Sequence, residues 1–323
     1  MDWMRLALPV LLALSMIPGP WINIGESPIS SQVDPFSGPY PAEIIVENWA
    51  EYRFVLENVY DVDTVQPLDP QVKMPTAGEE FVPLRVVAYL DPDEARTLTK
   101  VGLNVTPIND ISLEAPTDWP TYDGYVTRWR SLADAYPQFV RMINIGSSVQ
   151  GRTIWCLKIS DNPDLQENEP EVKFSAAIHG DELTGIELTT RLAELLVGGV
   201  GSDSRLTGLV ESLETWMCPI HNPDGYVAGT RNNANGVNLN RNFPDPILGE
   251  EDTPVGREPE NVAFMELGYT NRFTLGINYH GGALVVNYPW DNILDESIPV
   301  YAPDNELFYD LSLGYAELNP VIY

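Results

Sequence analysis

The chain contains three histidines, His179, His221 and His280, and two of them follow directly on apolar runs that read as core strands, Lys173 to Ile178 and Leu275 to Tyr279. In His179-Gly180-Asp181-Glu182 a strand has just ended and a helix is starting, so a His and a Glu three positions apart turn inward together on one side of the bend. His280-Gly281-Gly282 ends the other strand, and its glycines leave open space beside the imidazole. Two neutral imidazoles and one carboxylate, with a remaining position left for water, form the ligand set of a catalytic zinc. Taken alone, the His-x-x-Glu spacing favours the plainer reading of hydrogen-bonded core histidines. The residues further along the chain reverse that preference. His221, at the end of a third apolar run, is expected to pack or hydrogen-bond at a strand end and is given no chemical role.

Those further residues come in a fixed order: Asn222-Pro223-Asp224-Gly225-Tyr226, then Arg231, then Gly236-Val237-Asn238-Leu239-Asn240-Arg241-Asn242-Phe243-Pro244, then His280 to Pro289. With them, the sequence from about residue 122 onward resembles the zinc metallocarboxypeptidases, the family that includes pancreatic carboxypeptidases A and B. Within it the chain is most similar to the regulatory branch, in which an arginine precedes the Asn-Ala-Asn-Gly-Val run as Arg231 does. The resemblance implies one zinc ion per chain, held by His179, Glu182 and His280. It implies that Arg231 stabilises the developing oxyanion, a task for a fixed positive charge in a dry site. Asn240 and Arg241 would grip the free C-terminal carboxylate of a peptide or protein substrate, for which a guanidinium fork is the matching shape. Asp291 falls where the regulatory branch carries an acid that accepts a Lys or Arg side chain.

Two departures from the family pattern stand out. Asn238 occupies the position of an aspartate that orients the first zinc-binding imidazole, and an amide accepts the same hydrogen bond without adding charge. The family's general-base glutamate and its substrate-capping tyrosine fall beyond Tyr323, so the chain as written is expected to be C-terminally truncated and weak in hydrolysis. A non-catalytic module that holds peptide C-termini, and an amidohydrolase of the same fold, are the competing readings.

The elements that must position these residues alternate. From Tyr125 to Tyr279, strand-like runs are separated by helical segments at Leu183 to Val197 and Pro259 to Tyr269, which implies crossover connections and an α/β fold with a mixed, largely parallel sheet sandwiched by helices. A ligand site then belongs at the carboxyl ends of the strands. One more strand is expected at Leu284 to Tyr288 and an amphipathic segment at Asn305 to Glu317. Upstream, residues 40–111 read as βαβ-βαβ, the pattern of a small α+β ferredoxin-like domain resembling the activation domain of the same enzymes. Asp91-Pro92-Asp93-Glu94 marks a helix start there, and Ser112 to Thr121 reads as a linker before a second domain at 122–323.

Composition bounds the partners. Eighteen basic against 47 acidic residues give a formal net charge of −29, which disfavours nucleic acid and anionic membranes as partners. The 44% hydrophobic content is that of a packed chain, so the acid belongs on the surface of a folded body. Residues 1–25, with Arg5 before the apolar run Leu6 to Ile17 and then Pro18-Gly19-Pro20, read as a signal peptide, and the expected location is secreted, extracellular or periplasmic. The two cysteines, Cys156 and Cys218, sit in apolar strand-like runs, either as buried free thiols or as one disulfide. A monomer is expected.

Overall fold

The structure is a computed structural model that describes residues 40–59, 61–69, 72, 75, 80–108, 119–245, 249–281, 285–289 and 301–319. The signal-peptide reading, most of the linker and Asp291 lie outside these residues. The described part falls into two compact units.

In the smaller unit, β1 (Tyr40–Val46), α1 (Trp49–Asn58), β2 (Asp61–Pro67), β3 (Leu84–Leu90), α2 (Pro92–Lys100) and β4 (Asn104–Pro107) form a βαββαβ unit with strand order β2-β3-β1-β4. Every neighbouring pair is antiparallel. Strict alternation along β3, with Leu84, Val86, Ala88 and Leu90 all buried, gives the sheet one dry face. Val55 from α1 and Leu98 from α2 pack into that face. Both helices begin where their caps dictate: Asn48 accepts from the amides of Ala50 and Glu51, and Asp91 with Glu94 closes a capping box ahead of Pro92.

The larger unit runs α3 (Tyr122–Ala135), β5 (Val140–Ser147), β6 (Thr153–Ile159), β7 (Glu171–Ala176), α4 (Thr184–Gly199), α5 (Ser204–Val210), β8 (Glu214–Cys218), α6 (Pro223–Ala228), α7 (Pro259–Thr270) and β9 (Phe273–Tyr279). Its sheet has the order β5-β6-β8-β7-β9. The sheet is mixed, as expected: β8, β7 and β9 are parallel, while the β5-β6 hairpin and the β6-β8 pair are antiparallel. All five residues of β8 are buried, which a strand covered on both faces requires. On one face α7 packs Ala263, Phe264 and Leu267 against Ile154, Cys156, Trp216 and Cys218.

The order of the three parallel strands decides where a site can form. The chain leaves β7 for β8 on one side of it, then returns to place β9 on the other side, so the direction of winding reverses at β7. The register brings Ser175 level with Cys218 and Ala176 level with Tyr279, so the carboxyl ends of all three strands open at one level. Each of the three histidines lies just beyond one of those ends.

Two sequence expectations change. Val285 to Tyr288 are irregular and do not form the expected strand, because apolar alternation fits the segment but no described neighbour offers a hydrogen-bond ladder. The two cysteines are joined, which settles the alternatives left open: Leu157 pairs with Met217 in the antiparallel β6-β8 ladder, so Cys156 falls opposite Cys218, with Cα atoms 4.3 Å apart. The segment at Asn305–Glu317 is a helix, α8, with no buried residue.

Candidate metal centre

Where β7 ends, Ala177 takes a left-handed backbone (φ 48°), a conformation that turns the chain sharply before His179. Gly180 then passes so close to α6 that a Cβ there would lie 2.1 Å from the Gly225 carbonyl carbon and 2.3 Å from the Tyr226 nitrogen. Only glycine allows that approach. The Gly180 amide donates to the Arg231 carbonyl at 3.2 Å, which ties the bend after β7 to the segment carrying Arg231.

The side chains converge on Glu182. His179 Nδ1 lies 2.7 Å from Glu182 Oε1 and His280 Nδ1 lies 3.1 Å from Glu182 Oε2. The two imidazole centroids are 5.0 Å apart. Arg231, buried, donates from Nη1 to Glu182 Oε1 at 3.1 Å. Burial by itself would raise the Glu182 carboxyl, but the two imidazoles hold it well below the usual carboxylate range. Asp181, beside it, is pushed the other way, by burial first and then by the Glu182 charge.

The far side of His179 fixes what its near side must face. Asn238 Oδ1 caps the short turn Leu239–Arg241 by accepting the Asn240 amide at 2.9 Å, which sets the orientation of the side-chain amide. That same oxygen is 3.0 Å from His179 Nε2, so Nε2 carries the proton. The Nδ1 lone pair is thereby aimed at a carboxylate oxygen 2.7 Å away, an arrangement that needs a proton or a metal cation between them. Glu182 Oε2 is sequestered from solvent and makes no hydrogen bond of acceptable angle, although the His280 ring is in contact with it. Two imidazole nitrogens and a carboxylate, with the Nδ1 atoms 2.7 and 3.1 Å from the carboxylate oxygens, match the donor chemistry of a zinc shell, whose tetrahedral edges are about 3.4 Å. The residues present fit the ion.

Behind His280 stands a residue that sequence reasoning passed over. Asn278 Nδ2 lies 3.0 Å from His280 Nε2, and Asn278 Oδ1 accepts from Ser175 Oγ at 3.2 Å. The only signal was the period of two that puts 278 and 280 on one face of a strand. Asn240 and Arg241, both half-buried, follow Asn238 on its turn, with Arg241 Nη1 donating to the Asn240 carbonyl at 3.2 Å. His221 is apart from the cluster: it is buried, stacks on Phe264 with ring centroids 3.8 Å apart, and meets Asn261 Oδ1 at 3.1 Å. Burial pushes its pKa down to about 3, so it packs as a neutral ring.

The sequence model of the peptidase M14 family, described as zinc carboxypeptidase, matches residues 125–323. The chain belongs to the zinc carboxypeptidase family. Carboxypeptidase D of Anas platyrhynchos is 40% identical over 206 residues, covering 60% of this family member and 14% of that protein. Carboxypeptidase SOL1 of Arabidopsis thaliana is 38% identical over 207 residues, covering 64% of this chain and 42% of that one. The chain thus spans less than half the length of these two relatives. Among solved structures, a carboxypeptidase A from Helicoverpa armigera superposes with a TM-score of 0.61 at 19% identity, covering 87% of this chain and 78% of the other. Thrombin activatable fibrinolysis inhibitor gives 0.56 at 17%, covering 88% and 80%. At these identities the likeness is one of fold.

Proposed function

We propose that this carboxypeptidase-family chain removes the C-terminal residue from peptides or proteins, with one zinc ion held by His179, Glu182 and His280. The observation that carries the reading is the His179 ring, whose Nε2 proton is committed to Asn238 while Nδ1 faces a carboxylate oxygen at 2.7 Å. Zinc, when bound, polarises a water and the scissile carbonyl. The chain's own residues supply the rest. Asn238 holds the imidazole in the ligating tautomer, and Arg231, buried and fixed against Glu182, offers a permanent positive charge to an oxyanion. Asn240 and Arg241 are the assigned grip on the substrate's terminal carboxylate, which restricts cleavage to chain ends. Asp291 is the assigned partner of a basic C-terminal side chain, so Lys and Arg are the preferred residues. No described residue is assigned as general base.

The Cys156–Cys218 disulfide supports an oxidising compartment, hence export. Among the described residues no helix is long and apolar enough to cross a membrane. Metal analysis tests the centre: the purified chain is expected to hold about one zinc per molecule, and His179→Ala and His280→Ala are each expected to lose it. Stoichiometry unchanged in both variants would remove the assignment.

A further inference from the structure

At the opposite end of the same sheet, where β7 and β8 begin, carboxylates gather without enough donors. The loop between β6 and β7 contributes Asp161, Glu167 and Glu169, whose side-chain oxygens lie within 4.8 Å of one another. Glu171 and Glu214, the first residues of β7 and β8, are register partners on parallel strands and share a face. Both are buried, at 3% and 0% exposure. Glu214 reaches into the loop, its Oε1 accepting the Glu167 amide at 2.6 Å, and Glu171 Oε1 is held by Gln166 Nε2 at 2.8 Å. Three carboxylate oxygens remain, Oε2 of Glu167, Glu169 and Glu171, all shut off from solvent and none with a hydrogen bond. Lys158 is the ammonium that reaches this group, 2.8 Å from Glu214 Oε2, with a further bond to the Leu165 carbonyl.

Five carboxylates around one ammonium are out of balance, with Glu171 and Glu214 buried and Asp161, Glu167 and Glu169 half-buried, and unpaired charge away from water is costly. The strain registers at Glu169, where burial, then the charges of Asp161, Glu167 and Glu214, push the carboxyl above its ordinary range while Lys158 pulls it down. We propose that Asp161, Glu167 and Glu169, backed by Glu171 and Glu214, bind one calcium ion that fastens the loop between β6 and β7 to the head of the parallel strands. An all-oxygen donor set with no His or Cys selects a hard cation. Calcium takes six to eight oxygens and accepts several carboxylates at once, whereas magnesium keeps several of its waters and is held through one or two carboxylates, so a group this rich in acids fits calcium. The ion would be structural, because the zinc ligands lie beyond the other ends of β7 and β9.

The experiment uses the full chain, zinc-loaded and freed of excess metal, titrated with calcium alone. Equilibrium dialysis is expected to find one calcium per chain and thermal melting a rise in Tm with calcium. Glu169→Gln and Asp161→Asn should each weaken binding by about tenfold or more. Without calcium, Glu169→Gln should melt no lower than the parent, since it removes one of several crowded like charges. Terbium gives a reading that needs no variant: its emission should be sensitised by Trp216, whose ring lies 5.7 Å from the Lys158 ammonium, and calcium should displace it. Absence of both calcium uptake and sensitised emission overturns the site, as does equal calcium binding by the parent and both variants. A Tm that responds to mild acid but not to calcium also overturns it, because the carboxylates would then be sharing protons.

Discussion

A single amide, Asn238, sets the proposed metal centre apart from the pattern that the sequence resemblance implies. Asn238 gives His179 the acceptor it needs, fixed by its own bond to the Asn240 amide, but it adds no negative charge behind the ring. A carboxylate there would make the imidazole a stronger ligand and stabilise the loaded site. Asn238→Asp is therefore expected to tighten zinc by about 10-fold to 100-fold, measured as competition with a chelating dye at pH 7. Asn238→Ala should weaken it, because Nε2–H then loses its acceptor and the ring its orientation. If all three proteins hold zinc equally, the second imidazole and Glu182 dominate and Asn238 is only a cap for its turn.

Among the elements, the antiparallel β6-β8 pair has the most to show, since it joins the outer hairpin to the parallel strands that carry the histidines. The Cys156–Cys218 bond crosses that pair under α7 and closes a loop of 62 residues. Loop-closure entropy for that length amounts to about 4 kcal/mol of destabilisation of the unfolded chain. The double variant Cys156→Ala/Cys218→Ala is expected to lose about 2–4 kcal/mol of stability in urea titrations, at the high end where the two sulfurs' space is left as a small cavity. The same loss should appear in the parent on adding a reductant, with no effect of reductant on the double variant. Equal midpoints for parent and double variant would mean that burial alone holds β6 against β8.

For the whole molecule the dominant fact is charge. With −29 spread over 323 residues, the folded chain works against its own field, and salt relieves repulsion at separations beyond about 10 Å in roughly 0.1 M salt. Raising sodium chloride from about 0.05 M to about 0.5 M is expected to raise Tm by several degrees, with potassium chloride equivalent and the calcium effect additional to both. A Tm that falls or stays flat would show that paired charges such as Arg128 with Glu187 and Glu194, at 2.9 and 2.6 Å, outweigh the net repulsion.

The sequence by itself determined the kinds of group available and their local setting. Histidines stand just past apolar runs, a glutamate follows one of them at three residues, caps stand at Asn48 and Asp91, and an alternation of two gives β3 its dry face. These are short-range properties, fixed by which residues are neighbours in the chain and by the period of a strand or helix. Tertiary structure alone decided what meets across distance. Strand order put β9 beside β7 and so brought His280 to Glu182, 98 positions away; the β6-β8 register paired the cysteines; and Asn278 came to stand behind His280. The same packing gathered five acids near Lys158, two of them buried, which in the sequence read as loop and strand-end charges with nothing to mark them as one group. Non-local pairing depends on how whole faces fit and which ladders close, and no local period carries that information.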